Sequence, residues 1–279
     1  MSPHPARQRL YACIRQPDAQ IDLAEAALLI ALEDQGGPEP ADTLGDLERF
    51  ARAAAPSIHG LEDPHAIVAA LNGFLFGELG FRGNTWRYKD PANSYLDRVV
   101  ATRTGLPITL SLVYLEVGWR LGLPLAGLAL PGHFLVQYLG ADELIAIDPY
   151  NRGRLWNDEE RRIQVASYYG SASDSLMAQV CVPPSRRAIL VRLLRNLRGV
   201  YTEQRAIEHA LAAAERICAL DPTAWDDLRE RGVLRAYAGQ HLAALEDLER
   251  YAKHTEHIPN FGALKLLAAR LIEEAAAHN

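Results

Sequence analysis

The sequence is poor in cysteine, in long apolar runs and in positive charge, and each shortage closes off a class of function. Its three cysteines, Cys13, Cys181 and Cys218, form an odd and widely spaced set. Such a set builds no disulfide framework, and no pair has metal-site spacing, so no metal and a reducing, cytoplasmic setting are expected. The best apolar stretch, Ala26 to Leu32, is bounded by Glu25 and Glu33. A bilayer span takes about 20 residues, so this stretch reads as a buried helix and no membrane association is expected. The formal net charge of -6 gives no electrostatic reason to seek nucleic acid or anionic lipid. No cofactor is expected either.

What remains is ordinary globular composition, 49% apolar and 23% charged over 279 residues, enough for two domains. Apolar residues recur at helical spacing from Ile21 to Leu32, and Gly36-Gly37-Pro38 ends that run. Further helices are expected over 42–55 and 63–79, the second opened by Asp63-Pro64 as N-cap and first helical proline. The first 80 or so residues therefore read as helical. Residues 80–106 are irregular, with a partly helical piece from Asn93 to Arg103. From Pro107 to Leu121 the stripe Ile108, Leu112, Leu115 and Trp119 is widened by Leu110, Val113, Tyr114 and Val117. A helix apolar on so many sides is buried.

Strands follow at Leu125–Leu130, His133–Tyr138 and Leu144–Asp148. With Gly140-Ala141 as a two-residue turn, Leu139 pairs with Asp142 and His133 stands opposite Asp148. Direct cross-strand partners hold their Cβ atoms about 4.5–5.5 Å apart, so the carboxylate can fix the imidazole tautomer. That is the histidine–aspartate half of a hydrolase-type triad. A cysteine nucleophile belongs at a helix N-terminus, whose field lowers the thiol pKa, and the helix of suitable character starts at Gly105-Leu106-Pro107.

Beyond Pro183-Pro184 the chain is helical and repetitive. Ala210 and Ala244 lie 34 positions apart, Gly232 and Gly239 lie seven apart, and Pro222 follows Ala210 by twelve. This spacing fits one tetratricopeptide repeat, a degenerate one before it and a last helix at 260–277. So short an array is expected to pack on the first domain.

Gly105-x-Pro107, Arg120-Leu121-Gly122-Leu123-Pro124, Pro131-Gly132-His133-Phe134 and Ile147-Asp148-Pro149-Tyr150 together resemble the transglutaminase-like core. Asn93-Ser94-Tyr95-Leu96 and the segment Gly105 to Ser111 resemble more closely the bacterial SirB-type family, which joins that core to tetratricopeptide repeats. The resemblance implies an α+β fold with a small antiparallel sheet, plus an all-α repeat domain, divided as 1–182 and 186–279. It also places Pro107 in the slot of the superfamily's cysteine, with His133 and Asp148 as the rest of a remnant triad. Proline has neither a side-chain nucleophile nor a backbone N–H, so acyl transfer through a thiol at this slot is excluded.

Three readings follow. The leading one is a non-catalytic scaffold that holds a peptide or protein in the remnant cleft and on the repeats, with a regulatory role suggested by the family name. In it, Asn93, Ser94, Ser111, His133, Asp148 and Tyr150 line a ligand site, the rim residues by resemblance. The second is a hydrolase or acyltransferase with a relocated hydroxyl, Ser111 or Thr109, beside the His133–Asp148 pair. The third is a structural adaptor with no pocket. Each residue also has a plain structural role: Pro107 starts a helix, His133 and Asp148 satisfy each other, Ser111 packs in a buried helix, and Asn93, Ser94 and Tyr150 bond within loops. Arg192, Arg195 and Arg198 form a stripe that reads as a solvated face or a site for an acidic partner. His254 and His257 read as a surface pair.

Overall fold

The computed structural model describes residues 4–140, 144–254 and 270. The chain divides into two compact units, residues 1–189 and 190–279.

The first unit is α+β. It opens with α1 (Pro5–Ile14), α2 (Leu23–Gln35), α3 (Pro40–Ile58) and α4 (Pro64–Asn72). Side-chain caps explain two of these starts. Asp22 accepts from the Glu25 amide at 2.8 Å, and Asp63 accepts from His65 and Ala66 ahead of the expected Pro64. The run expected over 63–79 changes character at Gly73, where a wider π-type turn takes over to Glu78. Two short strands, β1 (Arg82–Gly83) and β2 (Thr104–Gly105), pair in parallel, with α5 (Leu96–Thr102) between them in sequence.

The central helix α6 (Pro107–Arg120) is buried from Pro107 to Gly118. It packs on a four-stranded antiparallel sheet in the order β3 (Leu125–Leu130), β4 (His133–Leu139), β5 (Leu144–Asp148) and β6 (Arg154–Trp156). The β4–β5 register corrects the expectation. Leu139 pairs with Leu144 and Val136 with Ile147, so His133 does not stand opposite Asp148. The connection is longer than the two-residue turn assumed, and the expected turn residue Ala141 and pairing residue Asp142 lie outside the described residues. The displacement is even, so each side chain keeps its expected face of the sheet. Two helices not expected from the sequence complete the unit, α7 (Asp158–Tyr169) and α8 (Asp174–Val180). They cover a cluster of Leu128, Leu130, Leu135 and Val165.

Helix α9 (Arg186–Glu203) crosses the boundary between units, and α10 (Ile207–Leu220), α11 (Trp225–Tyr237) and α12 (His241–His254) build the second. Gly232 lets α11 close on α12, since a Cβ there would stand 3.0 Å from the Leu248 side chain. The stripe read as solvated is instead partly consumed: Arg195 and Arg198 both pair with the buried Asp227. Asp247 is likewise held by Arg231 and Arg235. His254 stacks on Trp225 with centroids 3.8 Å apart. His257 and the helix expected over 260–277 fall outside the described residues apart from Arg270, which is helical.

Candidate functional site

Pro107 is the first residue of α6 and is buried there. The helix start is held from behind. The Thr109 hydroxyl accepts from the Leu106 amide at 3.0 Å and lies 2.7 Å from the Asn93 carbonyl, to which it donates. The Leu106 amide also reaches that carbonyl. Asn93 itself is buried, and its side chain serves the loop: it donates to the Arg87 and Tyr88 carbonyls and accepts from Asn84 at 2.8 Å. The Ser94 hydroxyl is buried with no hydrogen-bond partner among the described residues. Ser111, one turn into α6, is fully buried, and its hydroxyl donates to the Phe134 carbonyl of β4. That bond ties the helix to the strand beside His133.

His133 and Asp148 meet despite the displaced register. A diagonal cross-strand pair remains within reach of long side chains, and His133 Nε2 lies 2.9 Å from Asp148 Oδ2. Asp148 is 0% exposed. Its Oδ2 also accepts from Asn151 Nδ2 at 2.7 Å and Trp156 Nε1 at 3.1 Å. Its Oδ1 accepts from the Tyr150 and Asn151 amides. Burial alone would raise this carboxyl's pKa, but the bonds from His133 and Asn151 prevail and hold it below the usual carboxylate range. The imidazole stacks on Trp156 at 5.4 Å between centroids and meets the edge of Tyr150 at 6.2 Å.

Tyr150 joins this pair to the helix start. Its hydroxyl donates to the Asn84 carbonyl, and the Asn84 amide donates to the Gly105 carbonyl, two residues before Pro107. Its ring lies on Gly83. Burial, with Tyr88 and Asp148 nearby, pushes its phenol pKa up. On one side of Tyr150 opens a cleft of about 430 Å³, lined by Arg82, Gly83, Thr85, Trp86, Asn151 and Arg152 with Tyr150 itself. Of the expected site residues, Tyr150 alone is in its lining.

The sequence marks Asn84 only as part of irregular chain and carries no site signal for Asn151, Trp156 or the rest of the Arg82–Trp86 loop. Trp156 sits on a three-residue strand too short to show alternation, whereas the Asn-x-x-Glu spacing of Asn157 and Glu160 was a usable signal for the helix just after it. No thiol reaches the imidazole–carboxylate pair among the described contacts of the first unit. Cys13 lies 3.7 Å from the Asp22 carbonyl and Cys181 3.9 Å from Arg161; Cys218 belongs to the second unit. Burial pushes the Cys13 and Cys218 thiols up in pKa.

Comparison with known proteins bears on what this arrangement is. Residues 41–195 match the transglutaminase-like superfamily, and residues 197–271 match the tetratricopeptide repeat. A UPF0162 protein of Xylella fastidiosa is 42% identical over 186 residues, a stretch covering 66% of this chain and 66% of that protein. A UPF0162 protein of Pseudomonas aeruginosa is 33% identical over 247 residues, 88% of each chain. Protein SirB1 of Salmonella typhimurium is 23% identical over 215 residues, covering 77% of this chain and 79% of its own.

Proposed function

We propose that this chain, which belongs to the transglutaminase-like superfamily and carries a tetratricopeptide repeat, is a non-catalytic member that acts as a scaffold. Its first unit holds a peptide in the cleft beside Tyr150, and its repeats take a protein partner. The observation that carries the reading is Pro107. It opens the central helix in the slot that the superfamily resemblance gives to a cysteine, while the hydrogen bond between His133 and Asp148 is kept. Proline supplies no attacking atom and no amide donor for an oxyanion.

The rival reading needs Ser111 or Thr109 to attack. Both hydroxyls are 0% exposed and already committed, one to the Phe134 carbonyl and the other to Asn93 and Leu106. A nucleophile must be reachable by its substrate and within hydrogen-bond reach of its base, so these commitments favour the scaffold.

Two assays on the full chain test this reading. A broad fluorophosphonate probe is expected to leave the protein unlabelled, and selection from a random peptide display library is expected to return binders. Labelling of Ser111 that disappears in His133→Ala overturns the non-catalytic reading, and a selection that returns nothing overturns the peptide-holding one.

A further inference from the structure

The cleft beside Tyr150 has an unusual wall. Trp86 is 96% exposed and Tyr88, two residues on, is half-exposed. Single surface aromatics need no explanation, but this indole stands with two arginines, Arg82 and Arg152, in the lining of one cleft. Several other arginines of the unit find carboxylates, as Arg7 does with Glu33, Arg120 with Glu116 and Arg162 with Asp158, and others are taken up by carbonyls, as Arg187 is by Ile14 and Gln16. Among the described residues neither Arg82 nor Arg152 is paired with a carboxylate. On a chain of net charge -6, two unpaired guanidinium groups lining one cavity are a local reversal of sign.

The placement of these groups is built. Arg82 is on β1, fixed by parallel pairing with Thr104, and its amide donates to the Arg103 carbonyl at 2.9 Å. Arg152 follows the short turn whose two amides are held by Asp148, and its φ of 56° turns the chain sharply before Gly153. Gly153 is in turn tied to the Asn72 side chain, which donates to its carbonyl at 2.8 Å. Both cations are therefore displayed from anchored backbone.

We propose that this cleft binds an acidic peptide segment, its carboxylates taken by Arg82 and Arg152 and an apolar side chain laid on Trp86. The proposal rests on the scaffold reading and adds the chemistry of the ligand. Guanidinium forks match carboxylates in two-point geometry, and tryptophan, tyrosine and arginine are enriched among the few residues that carry most of the energy at protein interfaces. A cavity of about 430 Å³ falls in the usual range for bound groups, roughly 300–1,000 Å³.

The test titrates the full chain with three fluorescein-labelled octapeptides of alternating composition: Glu-Leu, Gln-Leu and Lys-Leu. Anisotropy is expected to rise with Glu-Leu alone. Raising salt from about 50 to 300 mM should weaken that binding several-fold, because partly exposed charge pairs are screened. The double variant Arg82→Gln, Arg152→Gln and the variant Trp86→Ala should each weaken it about tenfold or more, with unchanged thermal melts, since neither change removes a buried contact. Equal binding of Gln-Leu, or full binding by the double variant, overturns the acidic class while leaving a peptide-holding scaffold intact. Quenching of Trp86 by inorganic phosphate with no response to Glu-Leu also overturns it, in favour of a small-anion site. Failure of all three peptides, together with an empty display selection, removes the scaffold reading itself.

Discussion

The ring of Tyr150 occupies the space that a side chain on Gly83 would need: a Cβ there would stand 2.5 Å from Tyr150 Cε2. This contact binds the turn after Asp148 to the strand that leads, through Asn84 and Gly105, to Pro107. Gly83→Ala is expected to push the ring aside and cost about 1–3 kcal/mol, the usual penalty for an added methyl in a packed place. Urea denaturation reads the loss. Changed histidine resonances in the folded variant would show that the disturbance reaches His133, and a variant as stable as the parent would show that the ring is not held there.

Asp148 gives the protein an acid limb. Its pKa is depressed in the fold, so its stabilisation is complete above the unfolded carboxyl value of about 3.9 and is lost as pH falls through the lower native value. Asp148→Asn puts an amide among five donors, of which two are backbone N–H groups that cannot turn away. The expected cost at neutral pH is about 3 kcal/mol. The difference between variant and parent should shrink as pH drops below about 4. Stability curves from about pH 2 to 7 check both points, and a constant difference would mean that Asp148 is not the group titrating.

Ser111→Ala removes one donor from the Phe134 carbonyl. A single neutral hydrogen bond is worth about 1 kcal/mol net, so a loss of that size is expected in the melt. Peptide binding should not change, because the hydroxyl faces the strand and not the cleft. Loss of any esterase activity on this substitution would instead return Ser111 to the chemistry.

How far the sequence discloses this architecture depends on the length of each periodic run. The buried helix from Pro107 and the strands Leu125–Leu130 and Leu144–Asp148 are legible because apolar residues recur over enough positions to fix type and bounds. The His133–Asp148 contact survives a wrong register because an even slip keeps both side chains on one face. Arg154–Trp156 is too short to display a period, and so the indole that caps the pair is invisible. The polar run of α7 hides its amphipathicity, although its capping residues announce it. The cleft itself arises where residues 82–86 meet residues 150–152. No local pattern encodes a meeting of segments so far apart in the chain.

In the repeat unit, Asp227 is the buried anion of a three-member cluster with Arg195 and Arg198, and burial alone would raise its pKa were the two cations not there. The partners differ in exposure: Arg195 is half-exposed and Arg198 largely covered. Asp227→Ala strands two cations and is expected to cost about 3–5 kcal/mol. Arg198→Ala should cost less and Arg195→Ala least, since water screens the exposed member. Thermal melts of the three variants give the order, and a reversal of Arg195 and Arg198 would contradict the burial argument.

The sharpest test of descent is Pro107→Cys. The first turn of α6 points its free amides toward that position, and a helix N-terminus beside an imidazole lowers a thiol's pKa. Ser111, one turn on, already touches the strand that begins with His133. The new thiol is therefore expected to react with iodoacetamide at about pH 6 faster than Cys13 or Cys218, whose thiols burial pushes the other way. Adding His133→Ala should slow it again, which separates the imidazole's effect from that of the helix end. Mass mapping of the alkylated peptides reads all three sites in one experiment. A thiol at position 107 that stays inert would mean that proline does not stand where a nucleophile once did, and the case for a silenced catalytic site would lose its footing.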